Sequence, residues 1–206
     1  MGIPVLLLGN SGTGKSASMR NLDPTKYGLV NPAKKLLPFK SDKKSLNSDD
    51  YKKITEVLAR ASSNIVVIDD AQYLMANAWM RRAQEKGYDK YTEIGLDFFN
   101  LIEFVVNQMP PEKIVYFMGH TEIDTNGNTK FKTIGKMLDE KITIEGLFTI
   151  VLRTYVQRDP RQFFFSTQND GTDTVKTPMG MFAASLIDND LQIVDKAIRD
   201  YYGLVA

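Results

Sequence analysis

One stretch near the amino terminus, Gly9-Asn10-Ser11-Gly12-Thr13-Gly14-Lys15-Ser16, constrains the fold more than any other part of the chain. It fits the pattern G-x-x-x-x-G-K-[ST] at every fixed position. It also follows Ile3 to Leu8, an almost unbroken apolar run with the look of a strand buried on both faces of a parallel sheet. Behind it a short helix is expected from about Lys15 to Asn21, before Asp23-Pro24 breaks the chain. Glycines in such a setting let the backbone wrap with its N–H groups turned inward around phosphate oxygens, and the helix start adds a positive end. Lys15 then reaches the β- and γ-phosphates, Ser16 offers a hydroxyl to Mg²⁺, and Gly9 through Ala17 form the nucleotide-binding segment, with ATP as the expected ligand. A glycine turn that merely joins strand to helix is the plain alternative, and the strand, loop and helix setting argues against it.

The rest of the chain fits an α/β fold. Tyr27 to Asn31 reads as a second strand, residues 32 to 53 as an irregular lysine-rich stretch, and Tyr51, Ile54, Val57, Leu58 and Ala61 recur at helical spacing behind a capping Ser48-Asp49-Asp50. Ile65 to Ile68 is a third apolar strand. After a mixed stretch over 71–93, Ile94 to Met109 reads as a largely buried helix stopped by Pro110-Pro111, and Ile114 to Met118 as the next strand. Alternation over Leu147 to Thr154, followed by Phe163-Phe164-Phe165, predicts antiparallel strands added at the sheet edge, and Leu191, Val194, Ile198 and Tyr201 a closing amphipathic helix. The expectation is a single domain over 1–206: a central, mostly parallel sheet flanked by helices, with an antiparallel C-terminal extension.

Composition narrows the chemistry. At 206 residues, 43% hydrophobic and 25% charged, the chain is long enough to bury a core without disulfides. With no cysteine and one histidine, thiolate zinc and multi-histidine metal sites are excluded, so any metal sits on oxygen ligands. A net charge of +1 excludes a histone-style grip on nucleic acid but leaves local patches. The apolar opening is too short for a signal sequence or a membrane span, so no membrane partner and a cytoplasmic location are expected.

Two further strand ends carry candidate chemistry. Ile65-Val66-Val67-Ile68-Asp69 delivers a carboxylate where ligands of open α/β sheets collect, making Asp69 the expected Mg²⁺ partner alongside Ser16. Asp70 is the candidate for polarising the attacking water. At the exit of the Ile114 strand, His120 is placed to sense the γ-phosphate and Glu122 to act as base or relay, provided the strands are adjacent. Two stretches are candidates for a polymer surface. Trp79, Arg81, Arg82, Lys86 and Lys90 interleave cations with aromatics behind the metal strand, and Lys130 and Lys132 sit in a polar loop after His120. The bland readings are a solvated helix with Trp79 in the core, and a plain hairpin turn. Lysines 34, 35, 40, 43, 44, 52 and 53 form a third patch, of the kind that is usually a wet surface.

The order of these blocks, with Asn31 to Lys40, Glu145 to Thr149, and Thr167 to Phe182 added, resembles the phage-encoded RecA-core ATPases of the AAA_24 type over nearly the whole chain. The resemblance implies a RecA-like P-loop fold and ATP hydrolysis with Mg²⁺. It also implies self-association, other phage replication or recombination proteins as partners, and annealing-type recombination on single-stranded DNA. It makes Gly9 to Ser16 the phosphate loop, Asp69 the metal carboxylate, and His120 the occupant of a position where RecA proteins usually carry glutamine. The loops Ala71–Glu93 and Ile123–Lys132 would line DNA, and Lys136, Lys141, Arg153 or Lys176 would act on a neighbouring subunit's nucleotide. Two other classes remain open at this point: a nucleoside or nucleotide kinase, which would need an arginine-rich helical lid late in the chain, and a nucleotide-gated partner-binding protein of the helicase-loader kind.

Overall fold

A computed structural model describes residues 1–205, apart from the side chains of residues 139 and 140. Strand β1 (Ile3–Leu8) is buried from Pro4 onward and pairs in parallel with β4 (Ile114–Gly119) on one side and β7 (Ile150–Arg158) on the other. Next to β4 lies β3 (Ile65–Ile68), and then β2 (Tyr27–Val30), both also parallel. Beyond β7 the antiparallel strands β8 (Arg161–Ser166) and β9 (Leu186–Asp188) complete a seven-stranded mixed sheet of order β2-β3-β4-β1-β7-β8-β9.

Because strand side chains alternate, each strand feeds two cores. Leu6, Leu8, Val66, Ile68, Val115 and Phe117 face one way. They meet Ile54 and Leu58 of α1 (Tyr51–Arg60), Leu74 and Met75 of α2 (Gln72–Arg81), and Ile94, Phe98, Ile102 and Val105 of α3 (Asp89–Gln108). Val5, Leu7, Val67, Tyr116 and Met118 face the other way. There they pack on Met19 of a 3-10 turn (Ser16–Asn21) and on Leu191, Val194 and Ile198 of α4 (Leu191–Tyr202). The molecule is thus three layers, with the sheet in the middle. Among the described residues no helix is long and apolar enough to cross a membrane.

The segment after the glycine loop is a six-residue 3-10 turn with no side-chain cap, so it has little of the aligned dipole expected of a helix start. The mixed stretch after β3 holds α2, and α3 begins at Asp89, with Lys90 buried in its first turn and donating to the carbonyls of Arg82, Ala83 and Glu85. Strand β7 is not an edge addition. Its first residues are buried on both faces and pair in parallel with β1, and only its outer half alternates. Leu147 belongs to a 3-10 turn (Ile144–Leu147), and β9, three residues long, carries too little pattern to be read. Asp50 does cap α1, accepting from the N–H groups of Lys52 and Lys53.

Gly119, at the end of β4, lies flat against the ring of Phe131, which is itself stacked on Phe98 with centroids 5.7 Å apart. A methyl built on Gly119 would overlap that ring. Gly119→Ala is therefore expected to destabilise the fold by about 1–3 kcal/mol through overpacking, read as a lower urea midpoint with an unchanged slope.

Candidate active site

Since β1, β2, β3 and β4 run in the same direction, their carboxyl ends open onto one edge of the sheet. β4 lies between β1 and β3, so the residue after β4, His120, stands between the glycine loop and the Asp69-Asp70 pair. The end of β2 adjoins the end of β3 and brings in the chain from Asn31 onward.

The glycine loop is braced from its neighbours. The Gly9 N–H donates to the Gly119 carbonyl at 3.1 Å, and the Thr13 hydroxyl donates to the Asn10 carbonyl at 2.7 Å. Thr13 and Thr154 share a hydrogen bond of 2.6 Å, and the Thr121 hydroxyl donates to Asn10 Oδ1 at 2.6 Å. Gly14 adopts φ +100° and packs so closely that an added methyl would stand 3.1 Å from both Asn189 Oδ1 and Phe163 Cδ1, so only glycine fits. Lys15 is buried inside the loop it closes, its ammonium donating to the carbonyls of Gly9 at 2.8 Å and Asn10 at 3.0 Å. Burial pulls this ammonium below its ordinary pKa, against the opposing charges of Asp70 and Asp69.

Alternation along β3 settles where Asp69 points. Ile68 faces α2 and α3, so the next side chain turns to the opposite face, where the 3-10 turn begins. There the Ser16 hydroxyl donates to Asp69 Oδ1 at 2.9 Å. Burial, and then the charge of Asp70, push the Asp69 carboxyl above its ordinary pKa. A buried carboxylate and a hydroxyl within hydrogen-bond reach form an all-oxygen donor pair in a place that disfavours an uncompensated negative charge, which suits a hard divalent cation. Ser16 and Asp69 are the residues that would hold a cation such as Mg²⁺, which would supply charge neutralisation to an anionic ligand.

Asp70 takes a different part. It has φ +54°, and its two oxygens are taken by different side chains, Oδ2 by Lys35 at 2.7 Å and Oδ1 by His120 Nε2 at 3.2 Å. Burial alone would raise its pKa, but the hydrogen bonds from His120 and Lys35 outweigh it and hold the carboxyl well below the usual range. His120 is held at its main chain, where the backbone N–H donates to Gln72 Oε1 at 3.2 Å, and Tyr73 meets its ring edge-on at 6.4 Å. Lys15, Ser16, Lys35, Asp70, His120 and Phe163 line one cleft of about 370 Å³. Glu122 does not line it. That carboxylate lies on the hairpin of β5 (Thr121–Ile123) and β6 (Thr129–Phe131), 3.8 Å from Lys130 across the pair.

The interleaved cations behind β3 are not gathered on one open surface. Trp79 packs against the helical core with its indole Nε1 buried, Arg81 pairs with Asp49 at 2.5 Å, and Arg82 pairs with both Glu85 and Glu93. Lys90 is buried on carbonyls, which leaves Lys86 exposed. Helical spacing turned the aromatic inward and set the cations beside acids, which sequence order alone does not reveal. Lys130 is partly buried, Lys132 is exposed, and Arg153 pairs with Asp173 at 3.0 Å. Lys35, Gln72, Thr121, Thr154 and Phe163 belong to the site and were not singled out from the sequence. Of these only Lys35 left a trace, as one member of a lysine run.

No protein-family model matches the chain, and no curated protein matches it significantly in sequence.

Asp70→Asn removes the negative charge that Lys35 meets and leaves one acceptor oxygen where Lys35 and His120 use two. A carboxylate with a depressed folded pKa stabilises the fold above its unfolded value of about 3.9, and that contribution is lost as pH falls through the folded value. Asp70→Asn is expected to cost about 1–3 kcal/mol at pH 7 by urea unfolding, with the gap to the parent narrowing as the pH is lowered below about 4.

Proposed function

We propose that this chain is a Mg²⁺-dependent ATPase of RecA-like fold. The observation that carries the reading is the contact between the Ser16 hydroxyl and Asp69 at 2.9 Å. A glycine loop that merely linked strand to helix has no reason to bring its terminal hydroxyl onto a buried carboxylate two strands away. The interposed β4 supports the reading, because its end brings His120 against Asp70 beside the glycine loop, the pair to which we assign the γ-phosphate and the attacking water. Asp70, kept ionised by its partners, is suited to orienting that water more than to holding its proton. The phosphokinase alternative is weakened by the late half of the chain, which forms β7, β8, β9 and α4 in place of an arginine-rich helical lid.

The reading extends to phage recombination or replication, with single-stranded DNA as the polymer whose grip follows nucleotide state and with self-association as the working form. The β5–β6 hairpin is the element best suited to that grip. It begins directly after His120; at its base the Lys132 N–H donates to the His120 carbonyl at 2.9 Å and Lys132 is exposed, and toward its tip Ile123, opposite Thr129, is 74% exposed.

Lys15→Ala is expected to abolish ATP hydrolysis while the fold survives, since it removes the cation aimed at the β- and γ-phosphates, where such an interaction is worth about 3 kcal/mol or more. Asp69→Asn is expected to raise the Mg²⁺ concentration needed for half-maximal turnover. A coupled phosphate-release assay reads both, and parental turnover in a folded Lys15→Ala variant would refute the phosphate-loop assignment. Lys132→Ala with Ile123→Ser is expected to weaken binding of a labelled single-stranded oligonucleotide and to make its salt dependence shallower by about 0.7 in log–log slope, one phosphate contact being lost. Fluorescence anisotropy at several salt concentrations checks this, and an unchanged slope would place the DNA elsewhere.

A further inference from the structure

Lys35 is not an ordinary member of the lysine-rich stretch that holds it. The buried side chain of Asn31 grips its backbone at two points: Nδ2 donates to the Lys35 carbonyl at 2.7 Å, and Oδ1 accepts from the Lys35 N–H at 3.3 Å. Asn31 is itself tied into the fold through its N–H, which donates to the Leu46 carbonyl at 2.9 Å, and Lys34 makes the tight turn with φ +55°. The sequence thus builds a fixed turn at the end of β2 whose product is one lysine aimed across the end of β3. The ammonium reaches Asp70 Oδ2 at 2.7 Å and sits 4.7 Å from the centre of the Tyr73 ring. Its side chain is still 55% exposed, so the residue is anchored at the backbone while its ammonium, though paired with Asp70, has open space around it. By contrast Lys43, in the same stretch, spends its ammonium on the carbonyls of Pro24 and Tyr27.

Building on the ATPase reading, we infer that Lys35 binds the γ-phosphate from within the same chain, exchanging Asp70 for the phosphate when a triphosphate enters the cleft. Lys35 and Lys15 both line that cleft, with Ser16, Asp70 and His120. A terminal phosphate brings more negative charge than one carboxylate, and an ammonium on a flexible stem is suited to transfer between the two. A diphosphate has no group at that position and leaves Lys35 on Asp70. The exchange also frees one oxygen of Asp70 for the attacking water, so that the same movement reports the triphosphate and prepares its hydrolysis. Nothing covalent changes in this step.

Titration calorimetry with Mg²⁺ and either ADP or a non-hydrolysable ATP analogue tests the inference on the parent, Lys35→Met and Lys35→Arg. Methionine keeps an apolar stem over Tyr73 and loses the charge. Lys35→Met is expected to bind the triphosphate analogue about tenfold or more weakly while ADP affinity stays within about twofold, and Lys35→Arg to keep most of the preference. If both affinities fall together in Lys35→Met, or neither moves, Lys35 serves only to steady Asp70 and the inference is overturned. Urea unfolding of each variant separates a lost preference from a lost fold, and Lys35→Gln repeats the comparison if Lys35→Met does not fold. A parent that binds neither nucleotide would overturn the ATPase reading itself. A parent that loses both nucleotides in Lys15→Ala but keeps its triphosphate preference in Lys35→Met would overturn only the role given to Lys35.

Discussion

The parallel pairing of β4 between β1 and β3 is the constraint on which the rest of the structure depends. It fixes three strand ends side by side, and with them the glycine loop, His120 and the two aspartates. It also fixes what each aspartate meets. Period-two alternation turns Asp69 toward the layer of the 3-10 turn and so toward Ser16, while the positive φ of Asp70 turns the chain toward α2 and brings its carboxylate to His120 and Lys35. Neighbouring carboxylates are thereby held in opposite conditions, one buried without an ammonium in contact and one paired with Lys35 and hydrogen-bonded by His120. That division suits one to a metal cation and the other to a fixed negative charge facing water.

The same edge explains why the glycine loop holds its shape although the element behind it is short. A six-residue 3-10 turn offers little dipole, and the loop is steadied instead by hydrogen bonds to the Gly119 carbonyl and with the Thr121 and Thr154 hydroxyls, and by Lys15 closing on the carbonyls of Gly9 and Asn10. Preorganisation here comes from the chain around the end of β4 and from Thr154 midway along β7, and the cations that line the cleft are Lys15 and Lys35. The aromatic stack of Phe98 on Phe131, under Gly119, ties that edge to the helical core.

Much of this was legible in the sequence where one residue pattern admits one geometry. The glycine loop, the apolar strands ending at Leu8, Ile68 and Met118, the Asp69 carboxylate and the capped α1 were all readable, because burial period and turn chemistry are local. What stayed hidden depended on register or on helical phase. Strand β7 looked like an antiparallel addition because its outer half alternates, and only pairing with β1 makes its inner half central. Trp79 and its neighbouring arginines looked like a stacking surface because order along the chain does not say which side of a helix faces the core. Lys35 was invisible among seven lysines, since its importance comes from an asparagine clamp four residues earlier and from the adjacency of β2 to β3.

The central claim is that Ser16, Asp69 and Lys15 form a working site for a Mg²⁺-bound nucleoside triphosphate, and ligand-linked stability tests it without relying on turnover. A ligand that binds only the folded state stabilises it by RT ln(1 + [L]/Kd), about 2.7 kcal/mol at a hundredfold excess over Kd. Thermal unfolding of the parent with Mg²⁺ and a non-hydrolysable ATP analogue is expected to shift upward by several degrees, and the shift to shrink when Mg²⁺ is chelated or Ser16→Ala is introduced. An unfolding temperature of the folded parent that no nucleoside triphosphate moves, with or without Mg²⁺, would contradict the account.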